Sequence, residues 1–363
     1  MSQGARSRTV AGLPLPDGVR DRDVIQDFNG RVYVVLGSIQ PRDKILCFLK
    51  YVPDESGAWV SNGVRYRRVF WGDVGWIKES LSELPPDLVV HDSHFGTELL
   101  EVPREHVLNY FSPEARLREI LEYGPRDRLE SMAQSLSVLV TERIGIGPEQ
   151  LGVAGSVLWR AHDPCRSDLN MNVYGLQASH LLHENIDSLM DPQDVHRVGH
   201  ESWMRKIKAL TSGVSSMTDA DIAMLSERRR LVFHRGTSVG ITPVLYPDEA
   251  PIVHGSEYYR TISDSPVTLR LEIVDDTYGL FTPSIYSCIG AGDGARGPHR
   301  VERLMIYEGA FKGLLRSGDI VEVTGSLQSV IDPNDHLVKF HQIMVGTKSG
   351  VGKEGIRILR VAI

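Results

Sequence analysis

The chain has 363 residues, 41% hydrophobic and 24% charged, with 40 Lys plus Arg against 47 Asp plus Glu and a net charge of −7. This composition excludes a disordered chain and a generally basic nucleic-acid coat, and the length suits two or three domains. No window is apolar for long enough to span a membrane, and Cys47, Cys165 and Cys288 have neither zinc spacing nor a disulfide framework. A cytoplasmic protein without membrane attachment is the expectation.

Residues 1–19 read as a flexible leader. From 20 to 111 the pattern favours strands, giving a β-rich N-terminal domain. Arg31 to Leu36 is β-branched and aromatic, Lys44 to Val52 fits an antiparallel partner, and Val64 to Phe70 suits a third strand. Arg65, Arg67 and Arg68 on that third run can meet an anion, but a solvated strand face is the expected role. Residues 112–250 switch to helical spacing. Ser112-Pro113 predicts a helix start, Gly124-Pro125 its end, and Leu129, Met132, Leu136, Leu139 and Val140 form the apolar stripe of a second helix closed by Gly145. Residues 251–363 return to strand patterning, with clean alternation at Val267 to Val274 and Asp319 to Thr324. The glycine-rich run 290–297 lacks the strand-then-helix setting of a phosphate loop and reads as a loop. The expected fold class is α+β, a central core flanked by two β-rich domains.

The chemistry concentrates between Gln150 and Gly175. A short apolar strand ends at Gly155-Ser156 and an apolar helical turn follows. Glycine admits close backbone approach to a ligand, and helix-start amides favour phosphate. Next, Leu169, Met171 and Val173 alternate with Asp168, Asn170 and Asn172. A strand would turn the first three to a core and set the polar three along one edge, about 7 Å apart. A phosphate-cradling turn followed by a row of oxygen ligands provides the parts for metal-assisted phosphoryl transfer.

These residues resemble the nucleotidyltransferase superfamily typified by DNA polymerase beta, and more closely a group of predicted nucleotidyltransferases common in archaea. The likeness extends to Lys50 to Pro53, Val64 to Arg67, Val102 to Glu105 and Leu280 to Pro283. It implies a nucleotidyltransferase-like mixed sheet with helices as the core. It also implies Gly155, Ser156 and Ser167 at the nucleotide phosphates, Asp168 and Asn170 as catalytic metal ligands, and a weakly held Mg²⁺ or Mn²⁺. The substrate would be a nucleoside triphosphate, and the acceptor an RNA end, a protein or a small molecule. Asn170 stands where the family has its second aspartate, and an amide brings no charge to a hard cation. The strand expected to carry the third acid, Ser238 to Leu245, has no carboxylate; Asp248, Glu249, Glu272 and Asp275 are weak substitutes. A nucleotide- or RNA-binding module without catalysis, or an enzyme of small-molecule metabolism reusing the pocket, are therefore the alternatives.

Arg228, Arg229, Arg230 and Arg235 cluster between a helix and a strand, where they can bind triphosphate or an RNA backbone, or simply end a solvated helix. Arg228 and Arg229 are the nucleotide-binding candidates among them. His196 and His200 are four apart but lack the zinc-protease order. His180 and His183 are expected to be packed or at the surface.

Overall fold

The computed structural model describes residues 12–69, 84–190, 195–197, 201–214, 216–228, 232–234, 237–291 and 300–361. Three sheets follow one another along the chain. The N-terminal sheet contains β1 (Val24–Asp27), β2 (Val32–Val35), β3 (Lys44–Pro53), β4 (Trp59–Ser61), β5 (Val64–Arg68), β6 (Val89–Asp92), β7 (Thr97–Pro103) and β8 (Val107–Phe111). Its order is β4-β5-β3-β2-β1-β8, with β7 joining β3 to β6. One face packs Ile25, Tyr33, Val35, Ile45, Cys47 and Leu49 into a core of its own. The other turns Val24, Val32, Val34, Tyr51 and Tyr66 toward the next domain. This is the two-residue period of β-branched strands buried on both sides.

The central unit begins with α1 (Pro113–Tyr123) and α2 (Arg128–Ile144). The Ser112 hydroxyl accepts the Ala115 amide at the first start, and Asp127 caps the second by accepting the Leu129 and Glu130 amides. The second helix ends at Gly145, in the left-handed conformation glycine tolerates. There follow β9 (Leu151–Ala154), the single turn α3 (Gly155–Leu158), β10 (Leu169–Tyr174), α4 (Leu176–Asn185), β11 (Val195–Arg197), α5 (Glu201–Leu210), α6 (Asp219–Glu227), β12 (Val232–His234) and β13 (Thr237–Val244). The sheet order is β11-β12-β13-β10-β9; β10 runs parallel to β13 and antiparallel to β9. Leu169, Met171 and Val173 are buried against α1, α2 and α4, as their alternation predicts.

The C-terminal sheet comprises β14 (Tyr258–Thr261), β15 (Val267–Tyr278), β16 (Ser284–Gly290), β17 (Val301–Ile306), β18 (Ile320–Ile331), β19 (Val338–Val345) and β20 (Gly355–Arg360). The long β18 pairs with both β15 and β19, so the path β15-β16-β17-β19-β18 closes into a ring. Its core takes in Trp203, Ile207, Ile222 and Leu225, so α5 and α6 pack on the C-terminal sheet, although they lie inside the 112–250 segment. Their apolar faces match in period but not in partner, and sequence spacing does not say which sheet a helix covers.

The described part of the leader, 12–19, does not hang free. Leu13 exchanges both backbone hydrogen bonds with Tyr110, and Val19 is buried. The segment Gly290 to Gly297 lies outside the described residues beyond Ala291. Among the described residues no helix is long and apolar enough to cross a membrane.

Candidate functional site

The Gly155-Ser156 bend and the polar side of β10 meet on one side of the central sheet. Gly155 has φ +64°, a conformation strained for any other residue. A Cβ there would stand 3.0 Å from the Asn170 amide nitrogen, and one on Gly240 would stand 2.9 Å from the Asn170 amide oxygen. Asn170 therefore fills the space between two bare backbones, paired with Ala154 on β9 and Gly240 on β13. Ser156 follows, buried, and its carbonyl accepts the Ala161 amide. Asp168 is exposed at the entry to β10. Ser167 acts on the turn that delivers it: its hydroxyl accepts the Asp163 amide at 3.0 Å and its own amide reaches the Asp163 carbonyl.

Further along, Asn172 is buried and donates to the Tyr174 hydroxyl at 3.0 Å, while its amide oxygen has no hydrogen-bond partner. Tyr174 stacks with Tyr246 and lies 4.3 Å below the Arg20 guanidinium. The polar edge of β10 thus runs from exposed Asp168, through half-buried Asn170, to buried Asn172.

No carboxylate stands beside Asn170 on β13, where the register places Gly240. Of the substitutes, Glu249 accepts the Leu176 amide and the Tyr246 amide, which makes it a cap for the start of α4. Asp275 binds the Thr277 hydroxyl at 2.7 Å. The donor set is one carboxylate and one amide. It suits a single Mg²⁺ that arrives carrying phosphate oxygens and does not make a resident two-metal site.

Arg228 is placed elsewhere. Its guanidinium forms a bidentate ion pair with the fully buried Asp319 and donates to the Leu314 carbonyl, fastening the end of α6 to the C-terminal domain. Its guanidinium is thus engaged within the fold, away from the Gly155-Ser156 bend to which the sequence reading assigned the nucleotide phosphates. Arg229, Arg230 and Arg235 lie outside the described residues, as do His200 and the side chain of His196. His180 bonds the Thr277 carbonyl and His183 contacts the Arg316 guanidinium.

The N-terminal domain brings a lysine within electrostatic reach of Asp168. In the β2–β3 pairing Tyr51 opposes Val32 and Leu49 opposes Tyr33, so Lys50 is the extra residue of a β-bulge. Bulges re-aim side chains, often beside functional sites. Lys50 forms no ion pair among the described residues. Burial pushes its ammonium down to about 7, assisted by the charges of Arg68 and Arg22 and opposed by that of Asp168. Arg68 is the Cα partner of Tyr51 on β5. Arg22 sits at φ +70°, and its buried Nε has no hydrogen-bond partner. The Asp21 carboxylate lies 3.5 Å from that nitrogen. Aromatic contact holds the two walls together: the Trp159 ring, just after α3, lies 5.0 Å from Tyr51 and 4.9 Å from Tyr66. The Ser61 hydroxyl donates to the Trp159 carbonyl at 2.7 Å. From the C-terminal side, Lys312 donates to Thr282 at 3.0 Å. Burial lowers its ammonium to about 8, with Asp21 opposing and Arg22 assisting.

One further group has metal-ligand chemistry: Asp127, Glu130 and His162 offer ligand atoms within 4.8 Å of one another. Most of their ligand atoms are already engaged, although His162 Nδ1 is buried without a hydrogen-bond partner. Asp127 caps α2 and meets His162 Nε2 at 2.8 Å, while Glu130 binds the Arg116 guanidinium and the Arg126 amide. With two carboxylates serving a helix start and a guanidinium, the group is structural.

Sequence reasoning missed Lys50 and Arg22. The Leu49-Lys50-Tyr51 run reads as ordinary strand alternation, so neither the bulge nor the turn at Arg22 carries a sequence signal.

No family model matches the sequence, and no solved structure matches it. An uncharacterised protein of Methanocaldococcus jannaschii, MJ1086, is 22% identical over 357 residues, covering 94% of this chain and 99% of that protein. The likeness spans nearly the whole of both chains.

Proposed function

We propose that the protein is a nucleotidyltransferase-fold enzyme that transfers a nucleoside monophosphate from a nucleoside triphosphate to an acceptor hydroxyl. The observation that carries this reading is the convergence of Gly155-Ser156, Asn170 and Asp168 on one edge of a mixed sheet. Two features support it: β9 leads into the bend and pairs antiparallel with β10, and β13 runs parallel on the other side. In the reaction the acceptor oxygen bonds to the α-phosphorus, the bridge to the β-phosphate breaks, the acceptor proton leaves to solvent, and pyrophosphate departs. Gly155 admits the phosphate chain close to the backbone, and Ser156 offers a hydroxyl beside it. Asp168 and the Asn170 amide oxygen would hold Mg²⁺ or Mn²⁺, which when bound supplies positive charge at the transferring phosphate.

The test is turnover of each labelled nucleoside triphosphate with Mg²⁺ or Mn²⁺ and with RNA, protein or small-molecule acceptors. Labelled product that disappears in Asp168→Ala and rises in Asn170→Asp supports the reading. No product with any acceptor, or product unchanged in Asp168→Ala, overturns it. Gly240 at the position beside Asn170 favours a second reading, a nucleotide- or RNA-binding module without transfer. That module would keep its ligand in the presence of a chelator.

A further inference from the structure

The joint between the N-terminal and C-terminal domains is built from ionisable groups that nucleotide transfer does not use. The turn between β6 and β7 supplies Asp92, His94 and Phe95, and the segment 251–257 that leads into β14 supplies His254, Gly255 and Glu257. His254 Nε2 meets Asp92 Oδ2 at 2.7 Å, and the Phe95 amide donates to the other carboxylate oxygen at 3.0 Å. The Gly255 amide donates to His94 Nδ1 at 3.2 Å, and the Tyr259 amide donates to the His94 carbonyl at 2.8 Å. The His94 and His254 rings stack at 5.0 Å with 30° between their planes, and the Tyr259 ring lies 4.6 Å from His94. Gly96 ends the turn at φ +62°, where a Cβ would stand 2.4 Å from the Tyr259 carbonyl, so the two backbones are pressed together.

These contacts require a neutral His94. An imidazole nitrogen that accepts an amide carries no proton. A proton on Nδ1 would set a donor against the Gly255 donor and would place a fully buried cation on the face of His254. The other nitrogen, Nε2, is buried without a hydrogen-bond partner. Burial, assisted by the charge of His254, lowers His94 to about 4, with Glu257 and Asp92 opposing. The remaining charges around the joint are engaged. Glu257 binds the Arg303 guanidinium and the Tyr259 hydroxyl. Burial acts against the Asp92 carboxylate, but its bonds with His254, Glu101 and the Phe95 amide hold it well below the ordinary carboxylate range. Glu101 is pushed up to about 7 by burial and by Asp92, with Lys44 opposing from 3.4 Å.

We propose that this joint is an acid-released clasp: the β6–β7 turn holds the segment 251–257 while His94 is neutral, and a proton taken up by His94 frees the segment from the turn. His94 holds about 4 in the closed joint against an ordinary 6.5, so the open form binds the extra proton between these values. The clasp therefore contributes its full strength above about pH 6.5 and weakens as pH falls toward 4. Asp92 stays ionised across that window. Glu101, raised in the fold, favours the closed joint more as pH falls, so it opposes the release and does not cause it.

The experiment is amide hydrogen exchange of the full chain at pH 7 and pH 5, read on peptides covering Gly255 and Tyr259 and corrected for the intrinsic rate. Wild-type protection there is expected to fall by about tenfold or more at pH 5, while β10 stays protected. In His94→Asn the side-chain oxygen can still accept the Gly255 amide but cannot titrate, so protection should be the same at both pH values. Equal wild-type protection at pH 7 and pH 5 overturns the inference, and so does a loss in His94→Asn as large as that in the wild type. If His94→Asn leaves the segment open even at pH 7, histidine NMR of the wild type decides. Proton uptake by His94 that coincides with the loss of protection supports the clasp. A His94 ring protonated at pH 5 while Gly255 stays protected overturns it.

Discussion

Arg20 and Arg22 stand two residues apart in the chain and have opposite surroundings. Arg20 is nearly buried, bound to Asp23 and Glu114, bonded to the Tyr110 hydroxyl and seated over the Tyr174 ring. Asp23 is itself fully buried, pushed up to about 6 by burial, and held by the Tyr110 hydroxyl at 3.0 Å. Arg22 has one poorly aligned acid neighbour and two lysines within reach of its charge. The first set of charges is complete without a ligand and joins the N-terminal sheet to α1 and β10. The second is less fully paired: Arg22 Nε is buried without a hydrogen bond, with the Asp21 carboxylate 3.5 Å away. Density of ionisable groups therefore says little about function; the balance of their signs and hydrogen bonds says more.

This contrast can be tested from both sides. The largest effect is expected at Arg20→Ala, which leaves Asp23 and Glu114 without their guanidinium. Breaking a buried pair costs about 3 to 5 kcal/mol, read as a lower urea midpoint. Next is Gly155→Ala. It strains the left-handed bend and presses on Asn170, and should cost about 1 to 3 kcal/mol together with loss of turnover.

Lys50→Met should act in the opposite direction, raising stability at pH 7 by about 1 to 2 kcal/mol. Its pH dependence has a definite sign. The Lys50 ammonium is held at about 7 in the fold against an ordinary 10.5, so between these values the unfolded chain binds the extra proton. Wild-type stability should rise relative to Lys50→Met as pH climbs through that window, and the advantage of the variant should fade. Urea midpoints of both proteins at pH 6.5, 8.5 and 10 measure this, and a constant difference would contradict it. The smallest effect belongs to Arg67→Ala. It removes a solvent-screened pair with Asp54 at 2.9 Å and should shift the urea midpoint least of the four.

Much of the frame was legible from period and punctuation. Ser112-Pro113, Gly124 and Gly145 bound their helices where expected, and the alternation of Leu169, Met171 and Val173 with Asp168, Asn170 and Asn172 set both faces of β10. These signals are local, so local reading finds them. Long-range pairing was not legible. Arg228 sits in a basic run that reads as a phosphate site, yet its acid partner, Asp319, is supplied by a domain 91 residues away. The helices α5 and α6 have apolar faces that fit either sheet, and tertiary packing assigns them to the C-terminal one. The Lys50 bulge depends on a register between two strands, and the same pairing sets Arg68 opposite Tyr51, next to Lys50.

The most direct test of the account is a crystal structure of the full chain with a non-hydrolysable nucleoside triphosphate and Mn²⁺. The account predicts phosphate density between the Gly155-Ser156 bend and the Asp168–Asn170 side of β10, with a single manganese peak at most and that peak on Asp168. Phosphates bound away from Gly155-Ser156, or manganese coordinated without Asp168, would contradict it.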